Sequence, residues 1–427
     1  MKQTKYKVMM RITQMKLRYL YKIIAFLCYS ALLFVCFTAC VENAREPTSN
    51  ALIVPAKLKS TIDNSGAIVR VSSQKWGEAD GKEIRLYTLK NDNGMVVTAI
   101  NWGAYVQSVI VPDRDGSFED VVIGYDTWDE YFNDCCYSGP VVGRFGNRIA
   151  KGKFTIDGIE YDVTRNNGGP NNDINQLHGG LRGLHKRAWD ANQIENGVEM
   201  TYISIDGEEG YPGNLKIVVA YTLNNDNEFK ITYQATSDKK TPVNLTWHAY
   251  FNLSGNMKRD IEGQTLLIKA DKTTPVDDLL IPTGELLSVA GTPFDFRSAT
   301  AIGSRIRVKD EQLKKGGGVD KEFGGYDHNW VFTESNGSLV HQVTMYDPIS
   351  GRVMEILTQE PALQFYAGNF MDGSVKGKAG KIIKHRYGIA LEPQNYPDAP
   401  NQPNFPNSIL SPGEMYSTTS VYRFGFK

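Results

Sequence analysis

Five short runs concentrate the side chains that move protons or hold a polyhydroxylated ligand. They are Gly143-Arg144-Phe145-Gly146-Asn147-Arg148, Leu177-His178-Gly179-Gly180, Asn244-Leu245-Thr246-Trp247-His248-Ala249-Tyr250-Phe251-Asn252, Gly325-Tyr326-Asp327-His328-Asn329-Trp330 and Leu391-Glu392-Pro393-Gln394-Asn395-Tyr396-Pro397. Their shared content is Arg, His, Asp, Glu, Asn and aromatics, a mixture that hydrogen-bonds hydroxyl groups and stacks on the faces of sugar rings. Glu392 stands out. It follows the apolar strand Gly388-Ile389-Ala390-Leu391, which delivers its carboxylate to the mouth of a loop rich in Pro and Asn. Desolvation there would raise its pKa from about 4.3 towards the range of a working base.

Each run also has an ordinary reading. Arg144 serves as a surface charge or as a site residue, with Gly143 and Gly146 letting the backbone approach something closely. His178, before two glycines, is a turn histidine or a ligand contact. His248 lies in a strand-like stretch with Leu245, Ala249, Tyr250 and Phe251, where a satisfied core histidine is the default. Asp327 and His328 cap a turn into the Trp330-Val331-Phe332 strand, or face a ligand. His185, His341 and His385 stand beside Lys186, Gln342, Lys384 and Arg386 and read as solvated. No Gly-rich phosphate loop, zinc motif, nucleophile elbow or acidic Ca²⁺ loop is present, so no metal or cofactor is expected.

The elements that must position these residues read as strands. Apolar alternation recurs over residues 96–100, 105–111, 215–223, 229–235, 339–346 and 352–358, a period that marks strands with one buried face. Asp157-Gly158 between Phe154, Ile156 and Ile159, Tyr161 signals a two-residue hairpin, because a type I′ turn needs positive φ at both centres. Asn224 to Asn227 mark another. Helical pattern is scarce, with a turn or two expected at 298–308 and 310–315. Composition agrees: 41% hydrophobic, 22% charged and 40 glycines beside 22 Tyr and 18 Phe suit short strands joined by turns. The sum is an all-β fold, a large antiparallel sandwich in one domain whose loops carry the chemistry.

The first 39 of the 427 residues hold seven Lys or Arg and no acid, and residues 23–37 form an apolar run ending in Thr38-Ala39-Cys40. This is the layout of an export signal, and the run is short for a membrane span of about 20 residues. Phe37-Thr38-Ala39-Cys40 resembles a lipoprotein signal in which Cys40 carries the lipid, although Phe37 departs from the usual Leu. The expected organisation is a signal over 1–39, a flexible tether over 40–66 and one catalytic domain over 67–427. The expected location is the periplasm or outer membrane of a bacterium, with membrane attachment only through the lipid. Without the signal, 40 basic face 48 acidic side chains, which gives no electrostatic reason to bind nucleic acid. A monomer or weak dimer is expected. Cys135 and Cys136 read as two buried or idle thiols, since sequence neighbours pair only in a strained vicinal geometry.

Taken together, residues 142–150, 177–180, 244–253 and 391–406 resemble the motifs of the aldose 1-epimerases, or galactose mutarotases, in the order found there. The likeness spans roughly residues 76–427. It implies a β-supersandwich of the galactose mutarotase type and cofactor-free opening of a sugar ring. By that resemblance Glu392 is the general base at the C1 hydroxyl and His248 the general acid at the ring oxygen. His178, Arg144 and Asp327 correspond to sugar-binding residues, joined less directly by Asn147, Gln364 and Tyr366. Trp247 stands where relatives often carry a smaller polar residue; strand alternation points it away from His248, into packing. Two rivals remain: a glycosidase or lyase on a related sandwich, which would need two carboxylates such as Glu392 and Asp327, and a sugar-binding protein without catalysis.

Overall fold

The computed structural model describes residues 69–427, so the expectations for the signal, Cys40 and the tether lie outside the described residues. The described residues belong to one compact unit. Three large antiparallel sheets, with four two-stranded ones beside them, build it. A five-stranded meander runs from Val69–Ala79 through Lys82–Asn91, Val96–Ile100 and Val106–Pro112 to Phe118–Asp120. A nine-stranded sheet centres on Leu215–Leu223, Glu228–Ser237, Tyr416–Phe426, Arg352–Thr358 and Val340–Tyr346. The third sheet has six strands in the order Tyr250–Phe251, Ile389–Gln394, Ala362–Tyr366, Asp327–Phe332, Ala270–Thr274 and Leu287–Ser288.

Alternation explains the large sheet. In Leu215–Leu223 every odd-numbered residue is buried and Lys216 is exposed, so one face packs on the core. The hairpin at 157–158 also forms as its residues dictate: Ile156 pairs with Ile159, and Asp157 and Gly158 both take positive φ (51° and 82°). Helices are short, at Gly303–Ile306 and Glu311–Lys315 near the expected places. A third, Trp128–Phe132, was not expected. Its start was nonetheless encoded, since the Glu130 carboxylate accepts from the Thr127 backbone N–H (3.0 Å) as in a capping box.

The six-stranded sheet decides where chemistry can occur. Register places Leu391 beside Phe365 and His328, and Pro393 beside Leu363 and Trp330; this face joins the main core with Phe251. The opposite face aligns Glu392 with Gln364 and Asn329, and Ala390 with Tyr250, Tyr366 and Asp327. It is polar yet buried, because loops cover it. Two expectations change here. Glu392 lies within Ile389–Gln394 rather than beyond its end, and Asp327 and His328 begin a strand instead of capping a turn. Pro393 is tolerated because the neighbouring strand on that side pairs only with Ile389 and Ala390.

Candidate active site

The covered polar face opens into a cavity of about 720 Å³. Glu392, Asp327 and Tyr366 reach it from the sheet, His248 and Tyr250 from the segment that crosses the sheet edge, and Asn147, Arg148 and His178 from two loops. Those loops are laced together. The Asn147 N–H donates to His178 Nδ1 (3.1 Å), and the His178 N–H donates to the Asn147 carbonyl (3.0 Å). Gly179, at φ 83°, permits this approach: a Cβ there would sit 1.8 Å from the Gly143 carbonyl oxygen.

His248 and Glu392 meet at the floor, with Nε2 3.8 Å from Oε1 and both side chains almost fully buried. Trp247, the preceding residue, turns into the core, donates to the Gly139 carbonyl and packs edge-on against Phe229, Phe251 and Tyr422. That is the packing role expected from alternation, and it sends His248 the other way. Glu392 Oε2 has no protein hydrogen-bond partner. Burial, reinforced by the nearby Asp327 charge, pushes the Glu392 carboxyl well above its ordinary range, and Arg148 offsets this in part. Burial pushes His248 down to about 4. The two shifts oppose each other, and such a pair can exchange one proton with a ligand.

His178 packs edge-on against His248, with ring centroids 4.9 Å apart. Tyr137 lies 4.7 Å from the His178 ring and 5.7 Å from the His248 ring. His178, His248 and Glu392 bring one potential metal-ligand atom each within 4.8 Å of one another. His178 Nδ1 is an acceptor from Asn147, which places the ring proton on Nε2 and makes that nitrogen a donor rather than a lone-pair ligand. Of the three, His178 therefore suits a sugar hydroxyl better than a metal ion.

Asp327 is held at both oxygens. Gln364 Nε2 donates to one (2.6 Å) and Arg148 Nη2 to the other (3.3 Å). Gln364, expected to touch the ligand, is not in the cavity wall; it faces Asp327 across the sheet register and positions it. Arg144 is a clearer correction. Its guanidinium turns away from the cavity and donates to Ser204 Oγ (2.8 Å), the carbonyls of Ser204, Ile205 and Pro212 (2.8, 2.7 and 3.0 Å) and Thr241 Oγ1 (3.5 Å), leaving nothing for a ligand. Arg148, four residues on in the same run, lines the cavity in its place. Sequence pattern alone does not choose between two arginines in one loop. His185, read as solvated, is buried against Tyr137 at 4.7 Å, and burial takes it down to about 3. Cys135 and Cys136 are not idle thiols: they are joined in a disulfide in the cavity wall. Tyr137 and Tyr250 are the further wall residues that pattern did not single out.

A buried carboxyl–imidazole pair beneath an aromatic-rimmed cavity on a β-sandwich is an arrangement suited to a carbohydrate-active enzyme that moves protons. The family model described as aldose 1-epimerase matches residues 85–423. A galactose mutarotase of Rattus norvegicus is 40% identical over 359 residues, covering 84% of this chain and 99% of the relative. An aldose 1-epimerase of Escherichia coli is 39% identical over 348 residues, covering 81% and 96%. A solved galactose 1-epimerase of Lactobacillus acidophilus superposes with a TM-score of 0.71 at 28% identity, covering 84% of this chain and 99% of its own. The chain belongs to the aldose 1-epimerase family.

Proposed function

We propose that this protein is a mutarotase that interconverts the α and β anomers of free aldohexoses such as glucose and galactose. The observation that carries this reading is the juxtaposition of His248 Nε2 and Glu392 Oε1 at 3.8 Å beneath the cavity. Glu392 accepts the proton of the C1 hydroxyl while His248 donates one to the ring oxygen. The C1–O5 bond breaks, the open aldehyde turns about C1–C2, and reclosure reverses both transfers. His178, Arg148, Asp327 and Tyr366 hold the sugar hydroxyls, Asn147 sets the His178 tautomer, and Gln364 sets Asp327.

Proton counting sets the form of the pair from which each direction starts. The reaction needs a pair holding one proton, as Glu⁻ with HisH⁺ over the closed ring and as GluH with neutral His over the open aldehyde. The raised carboxyl and the lowered imidazole favour the second arrangement, so ring opening starts from the minor form of the pair and reclosure from the major one. The glycosidase reading leaves the buried His248 beside Glu392 without a role, whereas mutarotation uses both groups.

Polarimetry on freshly dissolved α-glucose and α-galactose tests the proposal. The expected result is a drift to equilibrium faster than the spontaneous one; equal drift with and without protein, at a pH where water acts slowly, would end it. We further propose export directed by residues 1–39 and lipid attachment at Cys40, supported by the basic start, the apolar run and Thr38-Ala39-Cys40. Membrane-fraction protein should become soluble in Cys40→Ala, and an unchanged partition would refute the anchor.

A further inference from the structure

The turn from Asp134 to Pro140 carries the disulfide and frames His248 on several sides. The Gly139 N–H donates to the His248 carbonyl (3.0 Å), and the His248 N–H donates to the Pro140 carbonyl (2.9 Å). The Cys136 carbonyl accepts from Tyr250 Oη (3.1 Å), and the Tyr137 ring rests on both His178 and His248. Tyr137 takes a left-handed backbone conformation (φ 55°) that a tyrosine does not adopt unaided. Two restraints hold it there. Asp134, buried, anchors one end by accepting from Tyr105, Tyr125, Ser138 and the Cys136 N–H. The Cys135–Cys136 bond, closing a ring across a single peptide, fixes the two residues between that anchor and Tyr137. Cys135 is exposed and Cys136 partly so, within reach of a small thiol.

We propose that the Cys135–Cys136 disulfide is a positioning element of the sugar site, and that its oxidation state sets the turnover rate. This rests on the mutarotase reading. Closed, the pair holds Tyr137 against His178 and His248; open, it frees the turn and the imidazoles lose their packing. Opening is a thiol–disulfide exchange with a small dithiol. One reagent thiolate attacks Cys135 Sγ and breaks the S–S bond, and Cys136 leaves as a thiolate that takes up a proton. The second reagent thiol then displaces the Cys135 sulfur, which is protonated in turn. Two electrons and two protons pass to the protein, and the reagent ends as its cyclic disulfide. A metal at Asp134, Cys135 and Cys136 is the weaker use of this cluster, because the Asp134 oxygens are already engaged.

The test compares the full-length oxidised protein, the same protein after a dithiol, the dithiol-treated protein reoxidised with glutathione disulfide, and Cys135→Ser/Cys136→Ser. Differential alkylation and peptide mass follow the pair itself. The dithiol-treated form and the double variant should turn over about tenfold more slowly, mainly in kcat, as expected for misplaced proton-transfer groups. Reoxidation should restore the first and leave the second unchanged. Histidine ring NMR signals should move on opening, since Tyr137 no longer shields His178 and His248. If peptide mass shows two new thiols at 135 and 136 while kcat and the ring signals stay put, or if no pair is found before treatment, the proposal is overturned. If the ring signals move but no form speeds mutarotation, the positioning stands and the mutarotase reading falls. A loss of melting temperature with kcat intact would mark a purely structural bridge and would also overturn it.

Discussion

Burial drives Glu392 and His248 in opposite directions, and this fixes the pH range over which the pair holds a single proton. Below about 4 the imidazole also protonates, and the pair has no site left to accept a proton. At high pH the carboxyl ionises with no proton left on either group, and its raised pKa delays this beyond the ordinary carboxylate range. The rate should therefore follow a broad bell with an acid limb near 4, its limbs belonging to the pair and not to one residue. Glu392→Gln should lower kcat by about 10² to 10⁴ while a sugar still binds, read by polarimetry alongside calorimetry. Binding with an unchanged rate would instead point to a lectin-like role.

Two arginines in one loop divide between architecture and ligand. Arg144 ties the 143–148 loop to Gly197–Ser204 and the 205–212 turn, so Arg144→Leu should strand several buried carbonyls and cost about 3 kcal/mol or more in denaturant unfolding. Arg148→Leu should instead raise KM by about tenfold to a hundredfold, and it should also destabilise the fold by about 3 kcal/mol because it leaves the buried Asp327 carboxylate without its cation. An equal rise in KM for the two variants would contradict this division. Pattern revealed elements where one face meets water: 215–223 alternates cleanly, and Asp157-Gly158 forms its turn. It failed where both faces are covered. All six residues of Ile389–Gln394 are buried, so no period shows that Glu392 sits inside a strand. Glu392 and His248 themselves were legible by motif, whereas the Cys135–Cys136 bond and the burial of His185 depend on how the 134–140 turn folds onto distant chain.

The molecule as a whole carries further buried carboxyls, and one of them, Glu360, lies away from the cavity. Glu360 accepts from Tyr416 Oη (3.3 Å), whose oxygen in turn accepts from the Leu245 N–H (3.4 Å), bridging three distant parts of the chain. Burial raises Glu360 to about 7 from 4.5. A carboxyl with a higher pKa folded than unfolded stabilises the fold in acid and withdraws that support as pH climbs through the folded value. Unfolding free energy should fall by about 3 kcal/mol between pH 4.5 and above 7 from this group. Glu360→Gln should flatten that slope in thermal unfolding at successive pH values; an unaltered slope would assign it elsewhere.

Tyr416–Phe426, which follows the other strands of the nine-stranded sheet in the chain, hydrogen-bonds on one side to Glu228–Ser237 and on the other to Arg352–Thr358. Until it arrives, the largest sheet exists as two halves with open edges facing each other, a template for wrong partners. The two halves can close into one sheet only through this strand. Chains lacking Tyr416–Phe426 should stay protease-sensitive and aggregate, even though every candidate proton-transfer group would still be present.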